Sequence, residues 1–488
     1  MSPLIAVDRN SSKPIHRQIY DAYRAAILGR NLPAGQQVPS TRALAHELGV
    51  SRIPVVDAYA QLFAEGYFET RPGAGTFVSS SLHSSLEAER GESTGESPEL
   101  ASERPRPRSR RVALLSRRED SPWAYGSGAF SVAQLAFDQF PLQVWSKLVS
   151  RRARSVRASS LHYGDPMGSR ELREVLAAYL RTARSVHCDP ERIMIVSGSQ
   201  QGLDLCGRVL FDPGDAAWVE EPGYALMHSA LSLVGCRLIP VPVDKEGIDV
   251  SQGVARCPDA RAAYVTPSHQ CPMGVTMTVS RRLQLLDWAN NAGAWILEDD
   301  YDSEYRFDSS PLTSLQGLDR ASRVIYLGTF SKALFPSLRL GYMVLPVDLI
   351  DEFRAMRRAT DICPSHFHQT VLADFIEQGH FARHIRKTRA VYNERRHALV
   401  DAINCELGNL VEIQGDEAGM HLVVTLPPGY SDQDISRRAA ERKLWLWPLS
   451  TAYLGPESRQ GFILGFGSVR TSEIPEAVRD LRKLLMEN

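Results

Sequence analysis

The chain lacks any apolar run near the roughly 20 residues that a bilayer-crossing helix needs, so no membrane span is expected in its 488 residues. Its first residues, "MSPLIAVDRNSSKPIHRQ", lack the basic-then-apolar layout of a signal peptide. Cysteine pairs are missing too. The seven cysteines (188, 206, 236, 257, 271, 363 and 405) are odd in number and scattered, with no CxxC. That excludes a disulfide framework and a structural zinc, and a reducing cytoplasm is the expected compartment. Nor is there a charge surplus: 56 Lys+Arg against 57 Asp+Glu leave a net charge of −1. With no global field toward nucleic acid or membrane, any DNA contact has to come from a local patch. At 43% hydrophobic and 23% charged, what remains is an ordinary globular composition, and the length predicts roughly two to four domains.

Three regions separate by composition: 1–80, 81–122 and 123–488. The middle one, "SLHSSLEAERGESTGESPELASERPRPRSRRVALLSRRED" and its flank, is rich in Ser, Glu, Arg and Pro and has no aromatics. Such a stretch cannot bury enough apolar surface to offset its ordering entropy, so it is read as a flexible tether. Its basic half, "RPRPRSRR", has two further options, folding back on the acidic half or touching DNA phosphates.

Residues 14–66 carry three helical patterns. "PIHRQIYDAYRAAILG" places Ile15, Ile19, Ala22, Ala26 and Ile27 on one face, with Pro14 at its start and Gly29 at its stop. "STRALAHELG" starts at Ser40 as N-cap. "SRIPVVDAYAQLFAEG" starts at Ser51 as N-cap, with Val55, Val56, Tyr59, Leu62 and Phe63 expected to face inward. One short turn, Gly49–Val50, separates the last two, which is a helix-turn-helix spacing. "YFETRPGAGTFV" then reads as two strands joined at a tight turn, a wing. Arg42 and Arg52 fall in the first turns of consecutive helices, where a bidentate guanidinium can reach a guanine edge. Residues 1–80 hold eight Lys/Arg against six Asp/Glu, a mild and local basicity.

Over residues 14–78 this stretch resembles the winged helix-turn-helix domain of the GntR family of bacterial regulators. The resemblance implies an α+β domain that binds double-stranded DNA through Ser40, Thr41, Arg42, Ser51 and Arg52, with Arg71, Gly73 and Gly75 of the wing near the minor groove. Pro54 departs from the family, which usually has a small hydroxylic residue there. A proline in the first turn costs the helix nothing, because its missing N–H had no intrahelical partner, but a phosphate donor is lost.

From Trp123 onward, short β-branched runs ("RIMIVSG", "DAAWVEE", "CRLIPVPV", "AAYVTP", "AWILEDD", "RVIYLGT") alternate with amphipathic stretches such as "SRELREVLAAYLRTA" and "SRRLQLLDWANNAG". This predicts an α/β domain with a mostly parallel sheet, covered by helices on both faces. Ligands of such sheets collect at the carboxyl ends of the strands, where the polar motifs fall. "VSGSQQGL" runs from strand to helix through Gly and Ser, so the N–H groups of Ser199 and Gln200 suit a phosphate. "ILEDDYDSEYRF" sets Asp299 and Tyr301 just past a strand, suited to a pyridinium nitrogen and a ring oxygen. "GTFSKALFPSLRLGY" offers Lys332 with Thr329, Ser331 and Arg339, and "EEPGYALM" offers Tyr224. A lysine that forms a Schiff base to an aldehyde cofactor needs this company.

Taken in order, "YGDPMG", "SGSQQG", "EPGY", "TPSHQCPMG", "EDDYDSEYRF" and "TFSKALFPSLRLG" resemble the fold-type I pyridoxal-phosphate enzymes, the aspartate aminotransferase superfamily, over 123–488, with a small C-terminal α+β subdomain. The resemblance implies pyridoxal 5'-phosphate held by a Schiff base to Lys332. Asp299 would pair with its ring nitrogen, Tyr301 with its ring oxygen and Tyr224 with its face. Ser199, Gln200, Thr329, Ser331 and Arg339 would hold the phosphate, and Tyr163 would reach the neighbouring subunit's phosphate, which implies a homodimer. Two departures stand out. Cys271 occupies a position where many aminotransferases carry asparagine, so His269 or Gln270 substitutes as ring-oxygen donor, or nothing does. No arginine is evident to grip an effector carboxylate: only Arg459 lies near the C-terminal motif, and Leu226 offers no charge. His380 and His384 have a zinc-compatible i, i+4 spacing without a third ligand, and the "HFH" at 366–368 is weaker still, so no metal is expected.

The combination is similar to the MocR/GabR subfamily of GntR regulators. It implies a DNA-binding regulator whose aminotransferase-like domain senses an amine or amino-acid effector, or the cofactor itself, and whose dimer is head-to-tail. The alternative is an active aminotransferase that carries an accessory DNA-binding domain.

Overall fold

The computed structural model describes residues 5–81, 109, 121–124, 126–132, 134–307, 312–456 and 458–487. The chain divides into two compact units between Pro107 and Arg108. That boundary falls within the 81–122 stretch read as a tether, nearly all of which lies outside the described residues.

In the N-terminal unit, α1 (Ile15–Leu28), α2 (Thr41–Glu47) and α3 (Arg52–Ala64) precede strands β2 (Phe68–Arg71) and β3 (Gly75–Val78). A two-residue strand β1 (Gln37–Val38) completes an antiparallel sheet of order β1-β3-β2. Ser40 caps α2 by accepting from the Ala43 N–H at 3.2 Å. Ser51 occupies the N-cap of α3 without a side-chain capping bond. The core is more aromatic than the helical pattern alone suggested: Tyr23, Tyr59 and Phe68 meet edge-on, with centroids 5.0–5.7 Å apart, a geometry their ring quadrupoles favour. One expectation fails here. Val56 is turned outward and 40% exposed, because Val55, Ala58, Tyr59 and Leu62 already fill the inward stripe of α3; Phe63 is half-buried.

The C-terminal unit holds an eight-stranded sheet of order β4-β11-β10-β9-β8-β5-β6-β7. Its strands are β4 (Ile193–Val196), β5 (Ala216–Glu221), β6 (Arg237–Asp244), β7 (Gly247–Ile248), β8 (Ala262–Val265), β9 (Trp295–Asp300), β10 (Val324–Thr329) and β11 (Gly341–Val344). Neighbours from β10 to β6 pair in parallel, and β11 runs antiparallel between β10 and β4. The central strands are buried on both faces, which explains their near-continuous apolar sequences. One core includes Met194, Leu297 and Met343, and the other stacks Trp218 on Trp288 with centroids 3.7 Å apart. A second, antiparallel sheet of β12 (Glu412–Gln414), β13 (His421–Thr425), β14 (Trp447–Pro448) and β15 (Gly461–Gly465) forms the small C-terminal subdomain, flanked by the long His380–Glu406 helix and the Ile474–Met486 helix. Among the described residues no helix is long and apolar enough to cross a membrane.

Candidate functional site

The predicted cofactor residues other than Tyr163 lie at or just past the carboxyl ends of β4, β5, β9 and β10 or, for Arg339, precede β11. Alternation along β9 sorts three consecutive acids to opposite faces. Glu298 accepts from the N–H groups of Leu315 and Gln316 at 2.7 and 2.8 Å. Asp300 pairs with buried Arg184 at 2.8 Å and accepts from Ser303 and Tyr326. Glu298 is fully committed to structure, and Asp300 is committed through Oδ2, its Oδ1 having no partner. Asp299 points the other way, 3% exposed, and accepts from the Tyr264 hydroxyl at 2.9 Å through Oδ2, while its Oδ1 has no partner. Burial pushes its carboxyl up to about 7. An unpaired buried carboxylate oxygen is costly, and a cation placed against it would relieve that cost.

Lys332 is half-buried in the short Phe330–Ala333 helix that follows β10. Desolvation holds its amine below the ordinary lysine range, while Asp302 and Cys271 act in the opposite direction. A lysine shifted this way is more readily unprotonated, the form that attacks an aldehyde. Thr329 caps the helix by accepting from the Ser331 N–H at 3.1 Å, and it donates to the Ser331 hydroxyl at 3.0 Å.

A second group of candidate residues surrounds Gly198. Gly198, with φ +109°, precedes the Ser199–Leu210 helix, and a Cβ there would stand 3.5 Å from both terminal nitrogens of Arg339. Gly198 also packs on Gly341, the β11 partner of Thr329. The helix N-terminus and an arginine with no ion pair among the described residues thus meet at Gly198, and Thr329 is tied to the same corner through its register partner Gly341. Gln200 donates to the Leu226 carbonyl at 3.0 Å and joins this corner to the segment that carries half-buried Tyr224. These observations fit an anionic group at the corner and a basic ring nitrogen at Asp299. Tyr163 stands apart at 82% exposed.

The open question at Cys271 has a structural answer in part. The Gln270 amide is spent on Glu220, the Pro222 carbonyl and its neighbour's carbonyl at 2.8–3.2 Å. His269 lies instead with Tyr301: its Nδ1 is 3.0 Å from the Tyr301 hydroxyl and 3.0 Å from Asp302 Oδ2. Its Nδ1–H donated to Asp302 leaves the phenol hydrogen of Tyr301 free for a ligand. Gly419 closes this pair from the small subdomain, since a Cβ there would fall 2.2 Å from His269 Cε1. His421 adds a second ring whose Nε2 meets the Pro272 carbonyl at 3.0 Å. Burial and His269 bring it down to about 4. His269, Asp302 and His421 are the one group among the described residues with three ligand-type atoms within 4.8 Å of one another. His269 Nδ1 and His421 Nε2 are engaged by Tyr301, Asp302 and the Pro272 carbonyl, while the buried His269 Nε2 has no partner. His380 faces Arg383 and His384 packs on Phe140.

Sequence reasoning missed Tyr264, Glu220, Asp302 and Gly419. Asp302 was inside a quoted motif, but its role depends on a histidine 33 residues earlier. A cavity of about 1390 Å³ lies between the large sheet and the small subdomain, bordered by Glu221, Met273, Glu417, Tyr453 and Arg459, and none of the predicted cofactor residues lines it. Arg459 is exposed on it and Leu226 is 41% exposed, so the carboxylate clamp stays unassigned.

On the DNA side, Arg42 and Arg52 are exposed, and Arg52 Nε donates to Thr41 Oγ1 at 3.3 Å, which links the two helices of the motif. Arg71 pairs with Glu69 at 3.0 Å and covers the Phe77 ring. Gly73 and Gly75 take φ of +75° and +109°, which the tight wing turn requires.

Residues 15–78 match the family described as bacterial regulatory proteins, gntR family, and residues 129–463 match aminotransferase class I and II, a pyridoxal-phosphate-dependent family. The chain is 37% identical over 99% of its length to a probable rhizopine catabolism regulatory protein, MocR, of Rhizobium meliloti, covering 96% of that protein. It is 32% identical to the HTH-type transcriptional regulator TauR of Rhodobacter capsulatus, over 94% of each chain. The solved multiple substrate aminotransferase of Thermococcus profundus superposes with a TM-score of 0.72 at 30% identity, over 78% of this chain and 97% of that one. With a winged helix-turn-helix followed by an aminotransferase fold and full-length likeness to such regulators, this chain belongs to the MocR-type branch of the GntR regulators.

Proposed function

We propose that this protein is a cytoplasmic transcription regulator that binds operator DNA through residues 1–80 and pyridoxal 5'-phosphate through residues 123–488, with 81–122 as the tether. The observation that carries the cofactor half is the presence in one domain of Lys332, whose amine desolvation shifts toward the unprotonated form, and of Asp299, a buried carboxylate lacking a partner on Oδ1. A bound pyridoxal phosphate would supply an aldehyde that condenses with primary amines. Lys332 would hold that aldehyde through its amine, and an effector, amine or amino acid, would compete for the same position. Asp299 holds the proton on the ring nitrogen, Tyr301 donates to the ring oxygen with His269 and Asp302 behind it, and Tyr224 covers the ring. Ser199, Gln200, Thr329, Ser331 and Arg339 hold the phosphate, joined by Tyr163 of a second copy in a head-to-tail homodimer. An effector acts on DNA only through a difference in its affinity for two dimer arrangements.

In the DNA half, Arg42 and Arg52 read base edges, Ser40, Thr41 and Ser51 approach the backbone, and Arg71 with Gly73 and Gly75 follows the minor groove. Cofactor uptake is tested by the violet absorbance of the loaded protein, expected in the wild type and absent in Lys332→Ala. Absorbance retained by that variant would contradict the assignment. The retained Lys332, Asp299 and Tyr301 also support a second reading, residual aminotransferase turnover. Rapid conversion of the cofactor to its amine form by amino acids, reversed by keto acids, would favour it.

A further inference from the structure

α3 presents two large apolar side chains to solvent that its own fold does not use. Ile53 is 71% and Val56 40% exposed, although the inward stripe of Val55, Ala58, Tyr59 and Leu62 completes the core. Single exposed apolar residues are common on any surface. These two are different because they stand at i and i+3, neighbours on one helix face, in the turn that also carries Arg52. The other large exposed apolar residue among those described in this unit is Leu28, on a different helix. Pro54 between them removes an N–H that would otherwise offer a phosphate contact, and it fixes the backbone of the first turn.

We infer that Ile53 and Val56 read thymine methyl groups in the major groove, so that the operator half-site carries thymine next to the base contacted by Arg52. The inference rests on the DNA-binding reading above. The C5-methyl of thymine is the apolar feature that the major groove offers, whereas the other base edges there present donors and acceptors. A polar base edge placed against Ile53 would lose its water without a replacement partner. The contact to Thr41 at 3.3 Å holds Arg52 at the same end of the helix, which fixes the spacing between the charged and the apolar reader. Exposed Arg42 on α2 supplies the cationic flank that draws in the duplex.

The experiment has two stages and uses the full chain. Selection from a random duplex library first yields the preferred site. That site is then resynthesised with deoxyuridine for each thymine in turn, a change that removes only a methyl group. Binding of the wild type is expected to fall about fourfold at one or two thymines beside the Arg52-dependent base. The penalty is expected to disappear in Ile53→Ala or Val56→Ala, whose thermal midpoints match the wild type. A selected site without thymine there, uracil that costs the wild type nothing, or a penalty that persists in both variants overturns the inference while DNA binding stands. Failure to enrich any sequence removes the DNA-binding reading itself, and the inference with it.

Discussion

The two units place their functional side chains in opposite environments. In the N-terminal unit the candidate readers Arg42 and Arg52 sit on the surface, where water solvates them at no cost to the fold. In the C-terminal unit the candidate cofactor groups are buried or half-buried, and several are displaced from their ordinary protonation. Asp299 and Glu220 are each pushed up to about 7 by burial, and the Lys332 amine is pushed down. A surface that meets a polyanion works by charge and shape supplied in advance. A pocket that meets a small reactive molecule works by groups kept unsatisfied until the molecule arrives. Damage to the first should therefore alter binding alone, whereas damage to the second should alter binding and stability together.

The sharpest way to separate them is Lys332→Ala, expected to abolish covalent cofactor attachment while operator binding by the cofactor-free protein survives. Absorbance and gel-shift titration on the same preparation check both halves. Next, Arg52→Ala should weaken operator binding by about tenfold to a hundredfold per half-site, with unchanged cofactor uptake and an unchanged thermal midpoint. A large loss of thermal stability would break the comparison by making Arg52 structural.

Asp299→Asn tests the buried side through pH. The folded-state value of about 7 lies above the ordinary 3.8, so the fold is favoured below about pH 4. That contribution is lost as pH rises through about 7. Glu220, Glu298 and Glu304, each near 7, push the same way. The contribution of these four acids to the thermal midpoint of the cofactor-free protein is therefore expected to fall between about pH 4 and about pH 7, against the opposite contribution of buried His384 and His421, each brought down to about 4. Asp299→Asn should reduce that slope and weaken cofactor binding. A slope unchanged by the substitution would remove Asp299 from the account. The smallest effect expected is that of Gly419→Ala, whose methyl group would crowd His269 and Asp302. It should cost about 1–3 kcal/mol in denaturant unfolding and perturb the cofactor spectrum, without touching operator affinity.

Local chemistry made much of this legible in the sequence. The strands named by "RIMIVSG" through "RVIYLGT" are all present, as β4, β5, β6, β8, β9 and β10, because double-sided burial leaves an apolar run bounded by turns. The helix-turn-helix was legible through its glycine stops and Ser40 cap. Antiparallel β11 was not, since "GYMV" reads the same in either direction and its placement depends on β4 and β10. Val56 was misplaced because a run of three apolar residues with one proline, "IPVV", does not reveal which two face out. At the site, residues within single motifs could be found. The bonds between motifs, such as Tyr264 to Asp299, His269 to Tyr301 and Asp302, and Gly419 against both, come from chain crossings that no spacing encodes.

The central claim is that Lys332 carries the cofactor. Borohydride reduction of the pyridoxal-phosphate-loaded protein, followed by mass mapping of its peptides, tests this directly. The account predicts one stable pyridoxyl adduct, on the peptide that contains Lys332. An adduct on another lysine, or none from protein saturated with the cofactor, would contradict it.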